Sequence, residues 1–465
     1  MADDTTIQRA GDDGREEEDF ALDRDLVDRI VAAADAGDAG QLKDLMAPLH
    51  AADIADLLEQ VSAAERREIL LLWGSEMDGD VLSELDDSIR EEVIGTLPKH
   101  VLAEAVRELD SDDVVDLIED LEKPQQAQIL GALDAGDRAA VEQSLTYPEY
   151  SAGRLMQREV VTAPEHWTVG ETIDHLRRDE ELPDQFYHVI LVDPGHHPVA
   201  YVTLGKLLSS RRDTALKDIT EDSFRTISAR QEEGDVAYAF NQYHLISAPV
   251  VDDDNRLVGV ITIDDAMSVL DEEHEEDILR LAGVGDESSI ADTVIETVRQ
   301  RLPWLGVNLC TALLAASIIG LFQDSISHLV ALAVLMPIVA SMGGNAGTQT
   351  LTVAVRALAT RNLTENNVLR VVRREAMVGV LNGLVFALLL GVVAALWFAM
   401  PELGLVIALA IIINLMVAAL AGILVPVVLD KLGADPALAS GTFVTTLTDM
   451  VGFFAFLGLA TLVLL

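Results

Sequence analysis

One cysteine, Cys310, occurs among 465 residues, so the chain has neither a disulfide framework nor a cysteine-based zinc site. Positive charge is scarce: 32 Lys and Arg stand against 78 Asp and Glu, a formal net charge of −46. A surface this negative repels phosphate backbones and anionic lipid, which excludes nucleic acid as a partner and leaves cations as the expected ones. The first residues, Met1 to Asp19, are acidic and lack the apolar stretch of a secretory signal, so the acidic part is expected to stay in the cytoplasm. No HExxH, Walker A or Ser/His/Asp signature occurs, and the chain is expected not to be an enzyme.

Against this acidity, half of the residues are hydrophobic and the mean hydropathy is +0.28. The two facts conflict in one soluble domain. They separate at Thr297/Val298: from Arg299 onward eight basic residues face seven acidic ones, so nearly the whole net charge lies on the first 298 residues. An intensely acidic soluble half is therefore joined to an apolar, almost neutral half. Adaptation to high salt is an alternative source of the acidity, since net charge maintains solubility.

Residues 1–19 have little to bury and read as an acidic disordered tail. Over 20–147 apolar residues recur at helical spacing, as in Leu26, Ile30, Leu42, Leu45 and Leu49, broken at Gly37, Pro48, Gly79, Pro98 and Pro124; this predicts a domain of short helices. Over 148–270 the pattern changes to short β-branched runs between helices. Val189–Asp193 with Val199–Leu204 recurs as Ala248–Asp252 with Val258–Ile263, and this doubled strand–turn–strand–helix unit resembles a pair of CBS domains. Residues 271–300 read as a charged connecting helix, a glycine-containing break and a further helix.

The region 301–465 holds five apolar stretches, near 302–322, 328–345, 376–399, 404–429 and 443–465, each close to the roughly 20 residues that span a bilayer. Arg356, Arg361, Arg370, Arg373 and Arg374 lie between the second and third, Lys431 between the fourth and fifth, and the other two links have no Lys or Arg. The positive-inside rule places the acidic half and both basic links in the cytoplasm. The expected architecture is a multidomain membrane protein with an all-α N-terminal domain, an α/β CBS pair and a transmembrane bundle of five helices.

Polar groups inside apolar helices are costly and informative. Asp449 is the only acid well inside the last stretch, and Thr445, Thr446 and Thr448 surround it. The carboxylate points to an ion pathway; a hydrogen-bonded helix-packing residue is its structural alternative. The second stretch contains Pro337, Gly343, Gly344 and Gly347 within eleven positions. This predicts that the backbone unwinds there, exposing carbonyls beside Asn345 and Gln349 as neutral oxygen ligands; close helix packing through small residues is the alternative. Oxygen-only chemistry selects hard cations, and Mg²⁺ is held by one or two carboxylates with several of its waters retained.

Gly343–Gln349 (GGNAGTQ), Arg374-Glu375-Ala-Met-Val-Gly379, Gly433–Gly452 with Asp435 and Asp449, and Tyr150-Ser-Ala-Gly153-Arg154-Leu-Met156 together resemble the MgtE-type magnesium transporters, in the family's order over nearly the whole chain. The resemblance implies a homodimeric Mg²⁺ channel in the plasma membrane, surrounded by lipid, with Asp449 facing the hydrated ion. It places Asn345 at the narrow part of the pore and Asp435 near its cytoplasmic entrance; Gly344 and Gly347 are expected to permit the backbone break beside Asn345 and so form part of the ion pathway. Thr442 stands where the family often has proline.

The same resemblance implies regulation by cytosolic Mg²⁺, with Asp112, Asp116, Glu232, Asp265, Glu273, Glu276 and Asp277 as sensor acids. Asp112 and Asp116 are four apart and face the same way on a helix, so they repel unless a cation bridges them. His244 occupies a place where relatives carry a further acid. Gly259, Thr262 and Asp265 form the G-x-x-T-x-x-D arrangement that holds an adenosine nucleotide such as ATP in many CBS domains, although the acidic surroundings oppose phosphate without Mg²⁺. Two rival readings remain at this point: a membrane-anchored metal or nucleotide sensor that does not conduct, and a proton-coupled divalent cation carrier.

Overall fold

The computed structural model describes residues 22–465 apart from 120, 122, 179–181, 184, 222–223, 285–287 and 289–293. The expected tail, 1–19, lies outside the described residues, as does part of the connecting region. The chain divides into two compact units, one ending at Met267 and the other beginning at Ser268.

In the first unit, short helices run from Arg24–Asp35 to Ala135–Ser144. Acidic and hydroxyl caps set several of their starts. Asp23, Asp38 and Asp86 accept from the first turn, and Ser62 and Glu65 close a reciprocal capping box, which satisfies main-chain donors that a short helix would leave unpaired. One apolar core, including Ile30, Leu42, Leu57, Leu82, Leu102 and Leu117, joins the helices. The expected all-α domain is what the chain forms.

The remainder of this unit contains two three-stranded sheets with the same topology. In the first, β1 (Thr162–Pro164) runs parallel to β2 (His188–Val192), which is antiparallel to β3 (Pro198–Thr203). In the second, β4 (Ile227–Ser228), β5 (Ser247–Val251) and β6 (Leu257–Thr262) repeat that order. Even the registers coincide: His188 pairs with Thr203 and Ser247 with Thr262, and both ladders shift after the same strand position. His188 and Ser247, 59 residues apart, share a hydrogen bond across the pair. The helix following β6 spans Ile263–Ala282 without interruption, so the charged connecting helix starts directly at the end of the strand rather than at residue 271. It stops before Gly283, whose φ of +71° suits glycine.

Five helices in the second unit are long and apolar enough to cross a membrane. The first to fifth span Val294–Leu321, Ala331–Ala359, Val368–Phe398, Pro401–Lys431 and Pro436–Leu464. At about 1.5 Å per residue they exceed a hydrocarbon core of about 30 Å, which is why they outrun the apolar stretches and carry Arg356, Arg370, Arg373 and Arg374 on their ends. The fourth is the most enclosed: Ile407, Ala410, Ile411 and Ala418 are fully buried, and it packs against the second, third and fifth.

The predicted break in the second helix is absent. Ala331–Ala359 is one continuous helix through Pro337, Gly343, Gly344 and Gly347, and no main-chain carbonyls are freed around Asn345 to act as ligands. The glycines answer to a different demand, namely the approach of neighbouring helices. A Cβ on Gly347 would lie 2.6 Å from Val444 Cγ1 in the fifth helix, and one on Gly343 would collide with the Asn414 amide in the fourth. At Gly422 a Cβ would meet the Gly347 carbonyl at 2.7 Å. Small residues thus let three backbones come together, the packing mode of membrane helices. Gly344 differs, because a Cβ there meets only Thr445 Cγ2 at 4.0 Å.

The two glycines therefore separate in their response to substitution. Gly347→Ala should destabilise the membrane unit by about 1–3 kcal/mol through overpacking, whereas Gly344→Ala should leave it near wild type. Thermal unfolding of the two purified variants in detergent checks this, and equal damage from both would restore the idea of a backbone hinge.

Candidate functional site

The fifth helix begins at Asp435, whose side chain accepts from Ala437 N at 2.7 Å as an N-cap. Thr445, Thr446 and Thr448 return their hydroxyls to carbonyls of their own helix, at 2.9, 2.6 and 2.9 Å. These groups are therefore satisfied locally and supply the neutral half of the alternatives raised by the sequence. Thr442, the departure from the family pattern, donates to Asn308 Oδ1 at 3.0 Å on the first apolar helix, and its carbonyl receives the Thr446 hydroxyl. The helix passes through it without a break.

Asp449 is half-buried and has no hydrogen bond or ion pair among the described residues. Of the residues from Pro436 to Leu464 it is the sole acid, and a carboxylate in an apolar helix calls for water, a cation or a proton. Asn345 is exposed on the neighbouring second helix, its amide touching Ser341 Oγ at 3.3 Å. The packing of the second helix on the fifth at Gly347/Val444 thus brings the helix of Asn345 and the helix of Asp449 side by side.

The sensor acids fall into separate places. In the first unit, Asp112 lies in the helix Ser111–Glu119 and is only 9% exposed. Burial, then the charge of Asp265, push its carboxyl well above the usual range. Asp113, next along the chain, is raised to about 7 by burial and then by Asp265 and Asp110. Asp265 itself is raised to about 6, burial outweighing the hydrogen bonds it receives from Thr262. Four carboxylates from the helical domain and the second CBS copy are thus crowded into one desolvated region.

Asp116, paired with Asp112 by sequence spacing, faces a different partner, Arg90, whose guanidinium reaches it at 3.0 Å. The helix places Asp112 at the junction with the second CBS copy and directs Asp116 back into its own domain. The junction is reinforced by Ser111, which donates to Glu159 at 2.8 Å, and by Gln157, which donates to Asp110 at 3.3 Å. Among the described residues no group of three or more His, Cys, Asp or Glu is positioned to hold a metal, so the acids crowd without converging on one point.

In the second unit, the connecting helix meets the start of the fifth apolar helix. Arg280 bonds Asp435 at 2.7 Å and Glu276 at 2.8 Å. Asp277 is raised by burial and then by the charge of Asp435, with Arg280 opposing. Asp435, Glu276 and Asp277 are therefore brought together, with a basic residue among them that the sequence reading passed over. Glu273 is exposed on the same helix, and Glu232 is exposed at the N-terminal end of the helix Glu233–Tyr243. His244 terminates that helix in the left-handed region, φ 53°.

At the G-x-x-T-x-x-D arrangement, the Thr262 hydroxyl donates to Asp265, and Thr262 N does so at 3.3 Å. The two residues cap the connecting helix. A Cβ on Gly259 would meet Gln157 O and Met156 Sδ at 2.7 Å each, so this glycine is required by packing against the preceding segment. Asp110, Asp113 and Arg280 were not singled out from sequence, because the signal that exposes them is spatial: Gln157 meets Asp110, Asp265 lies near Asp113 and Asp435 meets Arg280, all from distant segments.

Family models match three regions of the chain: a divalent cation transporter domain of the MgtE type over residues 336–459, an MgtE intracellular N domain over 49–150, and CBS domains over 152–213 and 216–272. The chain is 31% identical over 322 residues to the magnesium transporter MgtE of Bacillus subtilis, covering 69% of this chain and 71% of the relative. It is 33% identical, with the same coverage, to the magnesium transporter MgtE of Enterococcus faecalis. A solved structure of the cytosolic domain of the Mg²⁺ channel MgtE in complex with ATP matches 52% of this chain and 99% of its own, at 28% identity and a TM-score of 0.49.

The raised carboxylates fix the sign of a pH effect. A folded-state pKa above the unfolded value near 4 means that the fold favours the protonated acid. The associated stability is complete below the unfolded value and is lost as pH rises through about 6 for Asp265 and about 7 for Asp113. With divalent ions chelated, the full-length protein should therefore show a thermal transition of its cytosolic part that rises as pH falls from about 7 to about 5. Asp113→Asn should flatten that slope, as read by differential scanning calorimetry.

Proposed function

This chain belongs to the MgtE family of magnesium transporters, and from that premise we propose that it is a homodimeric channel carrying Mg²⁺ across the plasma membrane into the cytoplasm. The observation that carries the reading is Asp449, a lone, half-buried carboxylate in an apolar helix beside the one that bears Asn345. A hydrated divalent ion supplies what such a group lacks, and its retained waters suit contact with one or two carboxylates. Asn345 is exposed on its own chain, so a pathway lined by both residues is completed by a second copy. Residues 20–147, 148–270, 271–300 and 301–465 serve as helical domain, CBS pair, connecting region and membrane domain, with the N-terminus cytoplasmic.

Regulation by cytosolic Mg²⁺ is part of the proposal. Asp112, Asp113 and Asp265 bear a desolvation cost that a cation relieves by neutralising their charge, and the donors are all oxygen, as a hard ion requires. Asp435, Glu276 and Asp277 offer a second acidic group at the start of the helix that carries Asp449. A ligand shifts a gate only by its differential affinity for open and closed states, and acids that must move together to share one ion provide that difference. Glu232 and Glu273, which are exposed, contribute long-range attraction. A nucleotide at Gly259, Thr262 and Asp265 has to displace the Thr262–Asp265 bond first, so Asp265 is assigned to the cation and ATP to a secondary role.

In liposomes loaded with a Mg²⁺-sensitive dye, Asp449→Asn should abolish most Mg²⁺ influx while the dimer remains folded by size-exclusion chromatography. Wild-type influx through a well-folded Asp449→Asn protein would sink the assignment. Regulation is read separately by limited proteolysis of the connecting region at fixed high ionic strength. Mg²⁺ should protect the wild type, and a variant with Asp112, Asp116, Glu276 and Asp277 changed to Ala should need more Mg²⁺ for equal protection. Identical curves, or protection by monovalent salt alone, would assign the acidity to salt adaptation.

A further inference from the structure

The fourth apolar helix has a fully buried polar side chain, Asn414, with 0% exposure. Its Nδ2 donates to the Val339 carbonyl of the second helix at 2.8 Å. Its Oδ1 is buried without a hydrogen-bond partner among the described residues. The space around it is formed by two glycines, one from each flanking helix. A Cβ on Gly343 of the second helix would collide with the amide nitrogen and lie 2.9 Å from Cγ. A Cβ on Gly452 of the fifth would lie 2.8 Å from Nδ2 and 3.0 Å from Cγ.

Leaving a buried amide oxygen unpaired is unfavourable, and an apolar residue of similar volume would avoid that cost. Packing alone therefore does not account for an asparagine. What the amide adds is direction: it fixes the second helix by a hydrogen bond at Val339 and the fifth by contact at Gly452. Gly343 is two residues before Asn345, and Gly452 is three residues, less than one turn, after Asp449. One side chain on the fourth helix thus grips both helices that carry the candidate ion-facing residues, within a turn of each.

We propose that Asn414 is a positioning residue that sets the separation of Asn345 and Asp449, and through it the ion preference of the pathway. The proposal rests on the assignment of those two residues to the pathway. Asn414 does not touch the ion. Its amide holds the second helix in register against the fifth, and loss of the amide lets that spacing relax while the apolar surroundings, including Leu415, Phe456 and Leu457, preserve the fold.

The test uses the full-length protein in liposomes with Mg²⁺ and Ca²⁺ influx measured in parallel. Asn414→Leu, which keeps the four-atom branched shape at larger volume and loses the amide, should shift the Mg²⁺-to-Ca²⁺ influx ratio by roughly tenfold or more, within the about 10²-fold that a misplacement of about 1 Å can cost. A second variant separates positioning from packing: Asn414→Ala opens a space that Gly452→Ala refills. The double variant should recover thermal stability relative to Asn414→Ala while its influx ratio stays altered. A wild-type ratio in Asn414→Leu, or a double variant that regains the wild-type ratio along with its stability, would overturn the proposal. So would a double variant no more stable than Asn414→Ala, because the glycine cradle would then be wrong. If Asn414→Leu does not fold, the double variant alone decides. Loss of influx in Asp449→Asn alongside an unchanged ratio in the Asn414 variants would reject this inference and leave the ion pathway standing.

Discussion

A carboxylate withdrawn from water must give up its charge or find a cation, and the chain satisfies that requirement in three ways. Half-buried Asp435 is paired with Arg280 at 2.7 Å, and Asp116, itself exposed, is paired with the buried Arg90 at 3.0 Å. Asp112, Asp113 and Asp265 share a desolvated region in which their mutual repulsion adds to the cost of burial. Asp449 stands alone in an apolar helix. The first group has a basic partner close by, whereas in the other two burial disfavours the charged carboxylate, a cost that a proton or a cation relieves.

The membrane unit is governed by how closely backbones can approach. Gly347 against Val444, Gly343 and Gly452 around Asn414, and Gly422 against the Gly347 carbonyl place the second, fourth and fifth helices in direct contact. The third helix joins the fourth by the same means, since a Cβ on Gly379 would lie 2.9 Å from the Leu415 carbonyl. Lipid offers no hydrophobic force between helices, so such contacts and the few polar links, Asn414 to Val339 and Thr442 to Asn308, carry the assembly.

Much of this architecture was legible in the sequence. Apolar period identified the helical domain, the duplicated strand pattern identified the CBS pair, and the apolar stretches with their flanking arginines identified the five membrane helices, because these signals are local and repeated. Residues 343–349 show the limit of that method. Glycine lowers the cost of unusual backbone angles and also removes the Cβ that would separate two helices; a single sequence does not distinguish the two uses, and here the second one applies. The pairing of Asp112 with Asp116 failed for a related reason: spacing on one helix gives a face, but the partner opposite that face, Asp265 for one and Arg90 for the other, comes from distant segments. Arg280 and Asn414 read as ordinary helix residues until the helices are assembled.

The antiparallel pairs of the two sheets share one register, with His188–Thr203 and Ser247–Thr262 as matching pairs. Three positions past the end of each pair, the copies carry opposite charge. Lys206 follows Thr203 and is joined to Glu221 at 3.1 Å, while Asp265 follows Thr262 and faces Asp112. Duplication has thus left one copy electrically self-sufficient and made the other dependent on its surroundings. The two copies differ in how charge is balanced three positions past the strand: by a neighbour of its own copy in the first, and across the junction with the helical domain in the second.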